Sequence, residues 1–168
     1  MRKVILFSVM LLGLAFSAQA QKFSKNAIGL RFGDSNGFGG EVSYQRGLSK
    51  SNRLEADLGW RNNRDFDALQ LTAVYQWVWN IDGGFNWYAG VGGGLGHWSN
   101  SYYKNNAFYA GDRDKGTYAF AAGDIGIEYN FDIPLMVSLD FRPEFGSTNY
   151  YRDSYNSDIA VSLRYRFN

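Results

Sequence analysis

The chain has no cysteine. That excludes disulfide staples and a cysteine-linked lipid anchor, so an exported protein of this size must hold itself together by packing and hydrogen bonds. Proline is nearly as scarce, with 2 residues against 20 glycines, and no proline-rich or serine-rich linker divides the chain. After residue 20 there is no apolar run long enough for a membrane helix. A chain of this kind can cross a bilayer only as strands. An excess of one charge is missing too: 17 basic residues face 16 acidic ones, which gives no electrostatic reason for a nucleic-acid partner.

What is present begins with a leader. Arg2 and Lys3 precede the apolar run "VILFSVMLLGLAF" (Val4 to Phe16), and Ala18-Gln19-Ala20 offers a small-residue cleavage site. This is the pattern of a secretory signal peptide over residues 1–20, leaving residues 21–168 as one mature domain. Its removal takes away two basic residues and no acid, so the formal charge falls from +1 to −1. Aromatic residues make up 18% of the chain, and their placement turns out to decide its orientation.

The mature chain alternates apolar and polar residues in eight segments. Such alternation puts one set on each face of a strand. The segments lie near Asn26–Gly33, Phe38–Arg46, Arg53–Arg61, Leu69–Trp79, Trp87–Leu95, Asp124–Phe131, Leu135–Phe145 and Ile159–Phe167. Short turns at 47–52, 81–86 and before Pro134 alternate with longer connections, of which Ser99–Gly116 and Gly146–Ser157 are the longest. Tight turns at one end and long loops at the other predict an all-β, antiparallel, up-and-down transmembrane β-barrel of eight strands.

A soluble barrel and a membrane barrel share this alternation and differ in which face is wet. If both termini lie at the short-turn end, that end gathers Tyr44, Trp77, Trp79, Trp87, Tyr129, Phe131, Tyr165 and Phe167 on the apolar face. Trp60 and Phe141, with Phe32 and Phe145, fall at the opposite end, and aliphatic residues lie between. Two aromatic girdles around an aliphatic belt mark the two interfaces of a membrane, so the apolar face is the outside.

The polar face then fills the lumen. It carries Glu41, Glu55, Asp57, Asp124, Glu128, Asp140 and Glu144 against Arg31, Arg61, Arg142, Arg164 and Arg166. The planar fork of arginine suits a crowded interior that must bind carboxylates in pairs. For Arg142 the alternation suggests Glu128 and Asp140 as partners, and the glycines of the fifth strand leave room for long side chains. Eight strands enclose a space that side chains roughly fill, so a plug and no open pore is expected.

The whole mature chain resembles the small eight-stranded outer-membrane barrels typified by the transmembrane domain of outer-membrane protein A. The last strand, "AVSLRYRFN", ends with alternating apolar residues and the penultimate aromatic Phe167. The resemblance implies a bacterial outer-membrane location, with lipid and lipopolysaccharide around the wall. It also implies delivery by the barrel assembly machinery, which reads such a final strand.

Two motifs invite sharper readings and fail on spacing. "GVGGGLG" (90–96) lacks the spacing of a dinucleotide loop and no helix follows; "DRDKG" (112–116) starts like a calcium loop but has Gly123 where glutamate is required. No cofactor or metal is predicted. "HWSN" (97–100) resembles the H-x-S-N element of outer-membrane lipid A deacylases, which implies His97 and Ser99 as an alternative catalytic pair. A triad also needs an acid, and only Asp112 or Asp114 in the adjoining loop offers one. The segments 99–116 and 146–157 are rich in Tyr, Asn and Ser, a composition suited to adaptable contacts with an extracellular ligand. The expectation is a non-enzymatic barrel with a structural or surface-interaction role, adhesion included.

Overall fold

A computed structural model describes residues 25–33, 39–62, 66–104, 107–146 and 155–168. They form eight strands: β1 (Asn26–Phe32), β2 (Gly40–Gly47), β3 (Asn52–Asn62), β4 (Phe66–Asp82), β5 (Phe85–Lys104), β6 (Ala107–Asn130), β7 (Leu135–Gly146) and β8 (Tyr155–Phe167). Each pairs antiparallel with its neighbour, and β1 closes on β8 from Asn26↔Phe167 to Phe32↔Val161. Closure matters physically, because it leaves the strand ladder no open side around the ring. The predicted leader, residues 1–20, lies outside the described residues.

The turns at the termini's end are as short as the sequence suggests. Gly83, with φ of 51°, lets β4 reverse into β5 across two residues. A side chain is disfavoured in that left-handed conformation, which is why glycine occupies it. Pro143 sits within β7, where it has no N–H to give. The β6–β7 ladder runs from Phe120↔Gly146 to Ala122↔Glu144 and resumes only at Ile125↔Phe141, so the interruption falls opposite the proline.

The other end corrects one expectation. Ser99–Gly116 reads as a long loop, but β5 continues to Lys104 and β6 starts at Ala107, paired as far as Lys104↔Ala107. The segment is a hairpin, because polar, Tyr-rich residues can extend a ladder whose register is already set below. Alternation signals a strand only where one face is apolar, so this stretch shows no period of two in its hydrophobicity. Of the other long connection, residues 147–154 lie outside the described residues.

Polarity is inverted relative to a soluble protein. Arg31, Arg142, Arg164, Tyr88, Gln76 and Glu55 are the largest side chains sealed in the interior, each below 2% exposed. Outside, Ile28, Leu30, Leu71, Leu95, Ile125 and Leu163 are all exposed.

Candidate functional site

Among the described residues the lumen is built around four buried arginines, each on a different strand. Arg31 of β1 donates from Nη1 to Glu41 (3.0 Å) and Asp158 (2.7 Å), and from Nη2 to Asp140 (2.6 Å). Arg142 of β7 donates from Nη1 to Asp57 (2.7 Å) and from Nη2 to Glu55 (2.8 Å), with Asp124 3.8 Å from its Nε. Arg164 of β8 sits 3.2 Å from Glu55 and donates to Ser43 and Ser138. Arg53 of β3 donates to Glu128 (2.6 Å) and lies 4.8 Å above the Tyr88 ring.

Glu55 is the hub. Besides Arg142 and Arg164 it accepts from Gln45 and from Gln76 (3.2 Å), and Gln76 also donates to Asp124. Charges this deep are tolerated because nearly every one is paired or hydrogen-bonded. Removing one member would strand the rest.

The partners differ from those the alternation suggests. Glu128 binds Arg53 and Asp140 binds Arg31, while Arg142 reaches across to β3. Alternation fixes which face a residue takes but not which side chain lies opposite across the lumen. Arg166 stands at the rim and donates to the backbone carbonyls of Phe131 and Ile133, closing the β6–β7 turn. The Arg61 side chain lies outside the described residues. Arg53 follows from the parity of Glu55 one step outward, and Asp158 from that of Ser162 two steps outward. With them the described interior holds four arginines and eight carboxylates.

Gly94 and Gly96 of β5 and Gly126 of β6 make room for aromatic rings, not arginines. A Cβ on Gly96 would collide with the Tyr118 ring, one on Gly94 with Phe120, and one on Gly126 with Tyr88. Trp98, Tyr118 and Phe120 thus form an apolar cluster inside the barrel, beneath the β5–β6 hairpin. Tyr118 also donates to Gln70 (2.8 Å), which donates to Glu144 (3.3 Å), joining the cluster to the polar interior. Below the arginines, a cavity of about 460 Å³ opens at the short-turn end, lined by Gln45, Arg53, Glu128, Met136 and Arg166.

Outside, the short-turn end carries packed aromatics. Trp79 stacks on Trp87 at 4.3 Å, Tyr129 meets Phe131 edge-on at 4.8 Å, and Tyr165 stacks on Phe167. Two tyrosines there use one device. Tyr44 donates to Asn26 (2.7 Å) and Asn52 donates to Tyr75, each asparagine being the first residue of its strand. At the far end Trp60 and Phe141 are exposed on the same face.

His97 and Ser99 share the outward face of β5. His97 Nδ1 lies 3.2 Å from Thr117 Oγ1, the position an orienting carboxylate would take in a triad. Asp112 and Asp114 are in β6, but their side chains lie outside the described residues. The register places a different acid, Asp67 of β4, directly beside Ser99.

No family model and no curated protein matches the chain. Solved structures do. The N-terminal barrel domain of OprF from Pseudomonas aeruginosa aligns with 13% identity and a TM-score of 0.64, covering 88% of this chain and 100% of that one. Neisserial surface protein A aligns with 12% identity and a TM-score of 0.59 over 84% of this chain and 94% of that one. Ail, the attachment invasion locus protein of Yersinia pestis, aligns with 16% identity and a TM-score of 0.57 over 86% and 97%. At such identities the likeness is one of fold: this is the architecture of a small outer-membrane barrel.

Proposed function

We propose that the chain is an integral bacterial outer-membrane protein with a structural or surface-interaction role, adhesion among them. The inversion of polarity carries this reading. Among the described residues twenty-eight large apolar side chains are exposed on the wall and turns, while charged residues fill the inside. A soluble monomer rarely exposes apolar patches beyond a few hundred Å². Around a closed barrel, hydrocarbon is the solvent in which this wall is stable.

In this reading residues 1–20 are removed on export, both mature termini face the periplasm, and the β5–β6 hairpin faces outward. The final strand with Phe167 engages the assembly machinery, and the plugged lumen makes no open pore. The segments 99–116 and 146–157 are the surface a ligand would meet. Ail, a barrel of like fold, is named for attachment, and Tyr, Asn and Ser enrich both segments here.

Detergent-purified protein should give a β-type circular dichroism spectrum and migrate differently in gels with and without boiling. Intact cells should lose an epitope in the β5–β6 hairpin to external protease while an epitope at the C-terminus survives. Recovery of a soluble monomer from the periplasm without detergent overturns the reading.

A further inference from the structure

On four of the eight strands the end bearing the β5–β6 hairpin carries exposed apolar or aromatic residues: Phe32, Trp60, Phe145 and Tyr155. Over β4 to β6 that end carries polar residues around Leu69. Asp67 pairs with Ser99, which pairs with Lys115; in the next row Leu69 pairs with His97, which pairs with Thr117. Neighbours in such rows stand about 4.5–5.5 Å apart at Cβ on one face. Asp67, His97, Lys115 and Thr117 are exposed and Ser99 is half-buried. Lys115 is exposed and has no ion-pair partner among the described residues.

Directly below, the wall turns apolar and smooth. Leu71, Leu95 and Ala119 form one row, and Ala73, Gly93 and Ala121 form the next. The strands therefore offer a polar head site with the Lys115 cation, above a track with few side-chain protrusions. That is the outline of an amphiphile.

We propose that this face binds one phosphorylated glycolipid of the outer leaflet. Lys115 meets the phosphate, Asp67 and Ser99 accept from sugar hydroxyls, and acyl chains lie on the Ala73–Gly93–Ala121 track. Asp67, on the far side of Ser99 from Lys115, suits a ligand that brings hydroxyl donors as well as a phosphate. His97, whose Nδ1 lies 3.2 Å from Thr117 Oγ1, stands in the row below the headgroup. The inference deepens the outer-membrane reading and rests on it.

The test uses the full mature protein in detergent micelles, with retained lipid counted by native mass spectrometry. The probes are bisphosphorylated lipid A, dephosphorylated lipid A, phosphatidylglycerol and inorganic phosphate. Lipid A should bind best, and Lys115→Gln should weaken it about fivefold, the worth of one cation at an anionic surface. The same variant should leave dephosphorylated lipid A unaffected, Asp67→Asn should weaken both glycolipids, and Lys50→Gln in the opposite turn should change nothing. Equal retention of phosphatidylglycerol or inorganic phosphate, or an unchanged Lys115→Gln, overturns the glycolipid site. Every variant is first checked for boiling-dependent gel migration: if wild type lacks it, the membrane-barrel reading fails instead.

Discussion

Arg142 and Glu55 are 87 positions apart in sequence, yet Arg142 Nη2 lies 2.8 Å from Glu55 Oε1 across the barrel interior. The second arm of the same guanidinium binds Asp57 two residues further along β3. One planar fork thus ties β7 to β3, which are not ladder neighbours. The contact does what backbone pairing cannot: it braces the ring across its width.

Loss of that brace should be costly. Arg142→Leu leaves Asp57 buried without its ion-pair partner and Glu55 with Arg164 alone, a change worth about 3–5 kcal/mol when a buried pair is broken from one side. Urea unfolding in lipid vesicles measures it. Arg142→Lys should recover less than half, since an ammonium cannot address two carboxylates along two fixed directions. Unfolding curves that superimpose on wild type would remove Arg142 from this role.

Gly96 should be coupled to Tyr118. The three atoms nearest an added Cβ at Gly96 all belong to the Tyr118 ring, so Gly96→Ala should cost about 1–3 kcal/mol as the ring is displaced. In a Tyr118→Ala background the same substitution should be nearly neutral, and a double-mutant cycle reads the difference. Gly92→Ala should show no such rescue, because its Cβ would meet the backbone carbonyl of Ala73.

Tyr44→Phe removes the hydroxyl that donates to Asn26 and should lower stability by about 1 kcal/mol. Asn26 also accepts from Arg46 at 2.7 Å, so Asn26→Ala should cost more than Tyr44→Phe. Equal effects would show that the Arg46 bond contributes nothing.

Lipid A from cells with and without the protein should carry the same acyl chains, as should lipid A from cells with Ser99→Ala. Mass spectrometry reports the acyl count directly. An acyl chain missing only when Ser99 and His97 are both intact would establish the hydrolase, with Asp67 as the acid to substitute next.

Much of the architecture was legible beforehand because alternation is a local property. Whether Asp140 or Leu139 faces the lumen depends only on parity within one strand, and residues from Ser138 to Phe145 state it without a break. Aromatic residues at the strand tips distinguish outside from inside for the same local reason. By contrast, Ser99–Lys104 hid its strand character, since a polar hairpin beyond the apolar belt has no hydrophobic period to display.

What the sequence determined by itself was therefore the number of strands, their facing, and the sign of the inversion. Each follows from spacing along the chain and from which side chains tolerate hydrocarbon. Only the tertiary structure decided the partners: Arg142 with Glu55 and Asp57, Arg31 with three carboxylates, Gly96 beneath Tyr118, and Lys115 in line with Ser99 and Asp67. Those pairings depend on the register between strands and on closure of β1 against β8. Register is set jointly by all eight ladders, and no single strand contains it.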